Sequence, residues 1–299
     1  MKREINGLIH VDKPKGLSSR RVVDLVGQAL GTRKLGHAGT LDPLATGILV
    51  LAAGQATRLI EAIQEQAKSY QARVRLGARS NTDDADGLVE ESPIEARDIP
   101  TLDAIERQLQ SQVGLIQQRP PGFSALRIEG RRAYDLARAG EALELAARPV
   151  RVDRIAIVAF DWPWLELEID CGSGTYIRSI ARDLGEALAC GGLIQELRRT
   201  RIGRFSLENA LRLDDLSPST AKAALRPMLD AVRHWPQRTL TPEDVRAIEQ
   251  GRPIAAREQD PPGRLALVHP DGELLALAEV DRARNRIQPR RVLRVSAGP

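Results

Sequence analysis

The chain has 299 residues, of which 42% are hydrophobic and 28% charged, so it can bury a full core in one large domain and a smaller one. Its two cysteines and four histidines are scattered, which argues against a disulfide scaffold or a zinc site, and the net charge is +4. Charges run through Met1 to Asp12 and no apolar run reaches the ~18 residues of a membrane span. We therefore expect a cytoplasmic protein with no membrane contact and no metal.

The first predicted elements are a strand, a turn and a helix. Gly7–Asp12 is a short β-like run, and the proline and glycine of Lys13–Gly16 then predict a turn. Ser18 and Ser19 are suitable caps for a helix over Arg20–Leu30, whose apolar residues recur with helical spacing.

A glycine-rich loop follows and is the most informative stretch of the sequence. Asp42 lies within Gly36–Gly47, directly before Pro43, and the apolar strand Ile48–Ala52 comes next. Glycines allow close backbone approaches, so the loop could hold the Asp42 carboxylate rigidly. The phosphate-binding Gly-x-x-x-x-Gly-Lys-Ser/Thr motif is absent. A turn-forming role for an isolated Leu-Asp-Pro is the alternative interpretation.

The middle of the chain mixes strands with helices. Ser69–Leu76 and Leu165–Cys171 alternate in polarity, as strands with one buried face do. Asn81–Glu91 is acidic and turn-rich, Thr101–Val113 has helical spacing, and a helix is predicted over Tyr176–Leu188. This mixture predicts the α+β fold class.

The junction before that last helix contains two more glycines. Cys171–Arg178 resembles a dinucleotide-binding turn, but Ile177 stands where the third glycine would be, which argues against that site. The loop could instead present Tyr176 to a base and Arg178 to a carboxylate or phosphate. Alternatively, Arg178 points to solvent from an amphipathic helix.

The last ~60 residues predict a small β-rich domain. Trp235–Pro236 is typical of a linker, and Thr241 is a helix N-cap followed by proline. Arg264–His269 and Glu273–Glu279 are strand-like and are separated by Pro270–Gly272, which predicts a hairpin.

Arginines cluster in two places. From Arg282 to Arg294 there are six arginines and no acid. Such clusters can neutralise phosphates, or they form an ordinary solvated surface. The second group is Arg178, Arg182, Arg198, Arg199, Arg201, Arg204 and Arg212.

Five motifs in this order resemble those of the TruB family, the bacterial tRNA pseudouridine-55 synthases. The resemblance spans about Ile5 to Phe205, and Arg264–Arg294 is similar to the PUA domain of that family. The motifs are Gly7–Ser19, Lys34–Gly47, Lys68–Tyr70, Pro120–Leu126 and Gly174–Arg178.

The resemblance implies a catalytic domain over residues 1–235, built around a mixed, largely antiparallel sheet, and a PUA-like RNA-binding domain over 236–299. An insertion at about 120–150 would close on RNA. It also implies no cofactor, a monomer, and a tRNA T-stem-loop as partner, in which one uridine is isomerised to pseudouridine, with a possible role in tRNA folding.

Carried over to this sequence, Asp42 matches the family's essential aspartate, Arg178 the arginine that pairs with it, and Tyr176 a second active-site tyrosine that is a candidate proton relay. Tyr70 matches the aromatic residue stacked on the target base. The remaining expected substrate-binding residues are Lys13, His37, Arg127, Arg131, Arg132 and Leu197.

The first chemical step stays open at this point. Asp42 can attack C1′ as a nucleophile, or act as a base at the 2′ carbon and give a glycal. A glycosidase and a non-catalytic RNA-binding module are rival functions, although glycosidases use two carboxyl groups and the loop offers only Asp42. Deletion after Trp235 is expected to weaken tRNA binding and flatten its salt dependence.

Overall fold

A computed structural model describes residues 5–123, 127–128, 131–132 and 145–293, with the backbone alone at 127–128 and 131–132. The α-helices of the described residues are α1 (Ser19–Leu30), α2 (Ile60–Gln64), α3 (Leu102–Gln110), α4 (Ile177–Ala187), α5 (Pro218–Ala223) and α6 (Pro242–Glu249). Short 3₁₀ helices lie at Gly54–Leu59, Ala96–Asp98, Leu213–Asp215 and Met228–Ala231. Among the described residues, no helix is both long and apolar enough to cross a membrane.

The first strands of the described residues are β1 (Gly7–Lys13), β2 (Leu35–His37), β3 (Thr46–Ala53), β4 (Lys68–Leu76), β5 (Ala78–Ser80), β6 (Val89–Glu91), β7 (Gly114–Gln118), β8 (Arg127–Ile128), β9 (Arg131–Arg132) and β10 (Arg148–Asp161). The later strands are β11 (Trp164–Cys171), β12 (Gly192–Ile202), β13 (Phe205–Ser206), β14 (Leu211–Arg212), β15 (Gln237–Thr239), β16 (Ile254–Ala255), β17 (Gly263–Val268), β18 (Leu274–Asp281) and β19 (Arg286–Val292).

Side-chain caps explain where several helices begin. The Ser18 hydroxyl accepts a hydrogen bond from the backbone N–H of Arg21, and Thr101 and Thr241 cap α3 and α6 in the same way. The predicted caps at Ser18 and Thr241 are confirmed.

One large sheet forms the main body. Its strands run in the order β14-β1-β3-β12-β4-β11-β10-β7, with β2 paired to β3 and β13 to β12. The pairs β1–β14 and β3–β12 are parallel, while the others are antiparallel. The predicted α+β class with a mixed, largely antiparallel sheet is confirmed.

The core lies on both faces of this sheet. Along β3, Leu49 and Leu51 join one apolar cluster, which also contains buried residues of α1, α3 and α4. Ile48 and Val50 join a second cluster on the opposite face. Strand β3 is therefore covered on both sides, which explains its continuous apolar run.

The C-terminal β-rich unit is also confirmed, as a sheet in the order β15-β17-β18-β19-β16 with an apolar core of its own. It packs on the main body, because Ala266, Val268, Leu274, Leu277 and Leu293 belong to the second apolar cluster together with residues of β3. At the edge of this contact, Arg291 lies 2.5 Å from Glu61, and Arg264 pairs with Glu65.

The expected insertion at 120–150 is described only in part. Strands β8 and β9 pair in antiparallel register, Arg127 with Arg132 and Ile128 with Arg131. The side chains of Arg127, Arg131 and Arg132, which were expected to approach phosphates, lie outside the described residues.

The arginines between Arg178 and Arg212 do not form one phosphate-binding surface. Arg178 and Arg199 are buried, so that interpretation is wrong for these two. Arg198 pairs with Asp12 on the other face of β12, because adjacent residues of a strand point to opposite sides.

Candidate active site

The Gly36–Gly47 loop is fastened to α1 and to the turn after β1. The Ser19 hydroxyl accepts from the Leu41 N–H at 2.8 Å and donates to the Leu41 carbonyl at 2.9 Å. The Gly16 N–H donates to the Pro43 carbonyl at 2.8 Å. The backbone on either side of Asp42 is thus held by hydrogen bonds, of which those to Ser19 are buried, and this preorganises the Asp42 side chain.

Lys13 supports the same loop from behind. Its Nζ donates to the carbonyls of Pro14, Leu17 and Pro43 at 3.0, 2.7 and 3.4 Å. The side chain is completely buried, and burial lowers the pKa of Lys13 to about 8. Lys13 was expected among the substrate-binding residues, and the structure places its amine against loop carbonyls.

Gly47 ends the loop where β3 meets β12. Its φ is +98°, and a Cβ there would lie 2.2 Å from the Arg199 carbonyl oxygen. Gly47 and Arg199 are register partners in the parallel pair. A side chain at residue 47 would push the two strands apart, so glycine is required at this approach.

Asp42 forms an ion pair with Arg178, in the first turn of α4. The Oδ2 of Asp42 lies 3.1 Å from Nη2 of Arg178, and the side chains are 40% and 6% exposed, respectively. The carboxylate therefore faces open space, while the guanidinium is shielded from water.

Arg178 is fixed by further acceptors. Nη1 donates to the Thr82 carbonyl at 2.7 Å and lies 3.4 Å from Oδ2 of Asp84, and Nη2 donates to the Phe123 carbonyl at 2.8 Å. The planar guanidinium satisfies these acceptors and Asp42 together, which an ammonium group could not do in the same geometry.

Asp84 is a buried partner of Arg178 that the sequence did not reveal. Burial raises the pKa of Asp84, and a hydrogen bond from the Thr82 hydroxyl at 2.6 Å and the charge of Arg178 oppose that shift. Asp84 lies in the acidic, turn-rich segment Asn81–Glu91, whose five acidic residues look alike in the sequence. The fold shows that Asp84 is buried and lies beside Arg178.

Tyr70 lies on β4 and faces the same space. Burial raises the pKa of its phenol, and the nearby Arg199 opposes the shift, so Tyr70 is neutral at physiological pH. Arg199 donates to the carbonyls of Ile48 and Gly39 at 2.8 and 3.1 Å, and this links β12 to the loop.

Tyr176 immediately precedes α4 and is held through its backbone. The Gln118 side chain accepts from the Tyr176 N–H at 2.8 Å and donates to the Tyr176 carbonyl at 3.0 Å. The guanidinium carbon of Arg148 lies 5.1 Å from the centre of the tyrosine ring. Both contacts restrict where the ring can lie.

These side chains line a cavity of about 450 Å³, a volume typical of small-molecule sites. Asp42, Tyr70, Tyr176, Arg178 and Leu197, all predicted from the sequence, lie together in its wall. The other lining residues are Gly39, Thr40, Leu41, Ala45, Gln64, Lys68, Arg148, Ser173, Gly174, Thr175, Ile177 and Arg199.

His37 lies on β2 and is not among the residues that line the cavity. Burial, with a smaller contribution from Arg199, lowers the pKa of His37, so its imidazole is neutral at physiological pH. Among the described residues, no group of three His, Cys, Asp or Glu side chains could hold a metal ion.

Sequence reasoning missed Asp84, Gln118, Arg148 and Arg199 as contributors to the site. Gln118 and Arg148 lie at the two ends of strands that carry no local motif, and Arg199 was grouped with surface arginines. Only the pairing of distant strands brings these residues to the cavity.

Family models match most of the main body. Residues 28–177 match the N-terminal domain of the TruB family of pseudouridylate synthases, and residues 178–234 match the C-terminal domain of tRNA pseudouridylate synthase B. The chain is 43% identical to tRNA pseudouridine synthase B of Mycolicibacterium paratuberculosis over 94% of this chain and 95% of that protein. It is 42% identical to the protein of the same name from Thermobifida fusca, over 92% and 94%.

Solved structures with a similar fold include two complexes, and both superpose on most of this chain. A structure of an H/ACA ribonucleoprotein bound to a substrate RNA containing 2′-deoxyuridine superposes with a TM-score of 0.73 at 25% identity, covering 97% of this chain and 85% of that chain. A Cbf5-Nop10-Gar1 complex gives a TM-score of 0.71 at 28% identity, with 92% and 78% covered.

Proposed function

Because the chain belongs to the TruB family of pseudouridylate synthases, we propose that it isomerises one uridine of tRNA to pseudouridine, at position 55 in the T-loop, with Asp42 as the essential carboxylate. The observation that carries the proposal is the half-exposed Asp42 carboxylate, which Arg178 holds at 3.1 Å in a cavity that also contains Tyr70.

The target base must leave the RNA stack before it can enter this cavity. The ring of Tyr70 offers a face on which the uracil stacks, and such a contact is worth ~1–3 kcal/mol for a base on an aromatic side chain. That gain offsets part of the cost of unstacking the nucleotide. Leu197 adds an apolar wall to the same space.

Asp42 then acts on the ribose. The C1′–N1 bond breaks, the uracil turns, and a C1′–C5 bond forms. C5 then loses its proton, and N1 gains one. Nucleophilic attack at C1′ and proton removal at the 2′ carbon both require a carboxylate at a fixed distance from the sugar. Arg178 holds the Asp42 carboxylate in place, because Asp84 and two backbone carbonyls in turn fix the guanidinium of Arg178.

Tyr176 is the candidate for the proton transfer from C5. It lines the cavity beside Arg178, and Gln118 holds its backbone. A hydroxyl placed this way can pass a proton between the base and solvent. The isomerisation conserves every atom of the substrate, so its stoichiometry requires no co-substrate.

The two rival functions explain less of the site. Glycoside hydrolysis usually needs a pair of carboxyl groups, and among the described residues that line the cavity Asp42 is the one carboxylate. A module that only binds RNA would have no need to bury Arg178 and Asp84 together behind a half-exposed carboxylate, since buried ion pairs are costly to form.

We further infer that the protein works as a cytoplasmic monomer on the T-stem-loop of tRNA, through a catalytic domain at 1–235 and a PUA-like RNA-binding domain at 236–299. Arg127, Arg131 and Arg132 are proposed to contact RNA phosphates, and His37 to lie near the RNA loop from which the base is flipped. Lys13 is proposed to act through the Asp42 loop, since its amine binds three loop and turn carbonyls.

The test is incubation of the full chain with unmodified tRNA, followed by mapping of pseudouridine at nucleotide resolution. The expected product is pseudouridine at position 55 alone. A free uracil base would indicate hydrolysis, and tRNA that is bound but unchanged would indicate a binding module. Either result would overturn the proposed function.

A further inference from the structure

Arg148 lines the cavity and is held there by two contacts. It is the first residue of β10, and its Nη2 donates to the Gly174 carbonyl at 2.8 Å. Its guanidinium carbon lies 5.1 Å from the centre of the Tyr176 ring, a cation–π distance. Two contacts with the loop before α4 thus hold an arginine beside the candidate proton relay.

Arg148 differs from the other cations that line the cavity. Lys68, Arg178 and Arg199 are buried, and their donors are directed to protein acceptors. Arg148 is half-buried and has no ion pair with any residue in the described part of the chain. Among the described residues that line the cavity, it is therefore the cation that is neither buried nor paired with a carboxylate.

The donors of Arg148 suit a phosphate group. A guanidinium has five N–H donors, and the Gly174 carbonyl uses one of them. Its guanidinium carbon lies over the Tyr176 ring, and among the described residues the Gly174 carbonyl is the one hydrogen-bond acceptor that Arg148 contacts. Edge donors in a fork bind phosphate oxygens in pairs, and here the side chain is already ordered before RNA arrives.

We propose that Arg148 binds a backbone phosphate of the RNA beside the flipped nucleotide. This inference rests on the proposed function, since a nucleotide that enters the cavity brings a phosphate on each side of its ribose to the mouth. Arg148 thereby ties the position of the RNA backbone to that of Tyr176. The contact is electrostatic and carries no base specificity.

The test measures tRNA affinity of the full chain as a function of salt concentration. Arg148→Met removes the charge and keeps much of the apolar stem, while Arg148→Lys keeps the charge. For Arg148→Met we expect about tenfold weaker binding and a slope of log Kd against log salt that is smaller by roughly 0.7 to 0.9, the value for one phosphate contact. Arg148→Lys should keep the slope.

Arg151→Met is the matched control. Arg151 lies three residues along the same strand, so it points to the opposite face, and its side chain is 75% exposed and pairs with Asp153. We expect this variant to bind tRNA with the wild-type slope. Equal slopes for Arg148→Met and the wild type would overturn the inference, as would a variant whose only defect is a lower kcat at saturating tRNA.

Pseudouridine formation by the wild-type chain is measured in parallel, and thermal unfolding of each variant checks that it folds. If the wild type makes no pseudouridine, the proposed function itself fails. If the wild type makes pseudouridine and Arg148→Met keeps the wild-type salt slope, only the phosphate contact at Arg148 is refuted.

Discussion

The cavity and the C-terminal unit use arginine in two different ways. In the cavity, Arg178 and Arg199 are buried, and each donates to at least two backbone carbonyls. In the C-terminal unit, Arg284 in the turn before β19 and Arg290 within β19 are exposed and pair with Asp281 and Glu279, respectively. The first arrangement fixes geometry, and the second places exchangeable charge on the surface.

This difference predicts different consequences for substitution. Exposed ion pairs are worth little and are screened by salt, so those arginines can leave their partners for RNA phosphates. Buried arginines cannot do so without leaving unsatisfied acceptors. Changes at the buried arginines of the cavity should therefore alter the rate of reaction, and changes at the exposed arginines of the C-terminal unit should alter binding.

Among the residues that position Asp42, the largest effect of substitution is expected for Arg178→Lys. An ammonium group keeps the charge but cannot contact Asp42, Asp84 and two carbonyls at once, so we expect kcat to fall about 100-fold or more. Single-turnover measurement of pseudouridine formation at saturating tRNA checks this.

Arg182→Lys is the control for that variant, because Arg182 lies one turn further along α4 and pairs with Asp83 and Asp183 away from the cavity. It should retain most of the wild-type rate. Equal losses in both variants would show that the guanidinium at residue 178 has no special part in orienting Asp42.

Gly47→Ala should disrupt the fold of the cavity rather than its charge. The added Cβ would meet the Arg199 carbonyl at 2.2 Å, and φ is +98°. Strain and displaced strands together should lower the free energy of unfolding by about 3 kcal/mol or more.

Gly31→Ala is the comparison for Gly47→Ala in denaturant unfolding. Gly31 also has a positive φ, of +68°, but nothing lies within 4 Å of its added Cβ. It should cost only ~1 kcal/mol, the usual penalty for a left-handed residue with a side chain. Similar losses at both positions would mean that the approach of β3 to β12 is not tight.

In the C-terminal unit, the double variant Arg284→Gln and Arg290→Gln should weaken tRNA binding and reduce the salt slope by up to about 2, with little change in kcat. Deletion after Trp235, which the sequence suggested as a test of tRNA binding, is less suitable than this double variant. It would uncover the apolar surface that Val268, Leu274 and Leu277 cover. An unchanged salt slope in the double variant would show that Arg284 and Arg290 do not contact RNA phosphates.

The smallest expected effect concerns the pH dependence of stability. Burial lowers the pKa of Lys13 from its usual 10.5 to about 8 in the folded protein, so the unfolded chain holds this proton to higher pH. Between about pH 8 and 10.5 the unfolded state binds more protons, and the free energy of unfolding should rise with pH.

Lys13→Met should remove this contribution, so the difference in unfolding free energy between the wild type and the variant should grow from about pH 8 upwards. Denaturant unfolding across that range measures it. A constant difference would indicate that the Lys13 amine titrates alike in the folded and unfolded chain.

Local patterns predicted much of the fold. The caps at Ser18 and Thr241, the apolar strand β3 and the turn at Pro270–Gly272 between β17 and β18 depend on neighbouring residues, so the sequence shows them directly. Strand β12 was missed, because its arginines alternate between a buried and an exposed face and resemble a basic surface.

The partners in the site were harder to predict. Arg178 and Asp84 are 94 positions apart in the sequence, and Arg199 reaches the Gly39 carbonyl because β12 pairs with β3. No local pattern encodes such contacts. Asp42, Tyr70, Tyr176 and Arg178 were found through ordered motifs, and the side chains that position them were found only through the fold.

The most direct test of the account is the Asp42→Asn variant, with pseudouridine formation and tRNA binding measured on the same preparation. The amide keeps the size of the side chain and removes its negative charge. We predict that pseudouridine formation is lost while tRNA binding is preserved. Formation of product at the wild-type rate would contradict the assignment of Asp42 as the essential carboxylate.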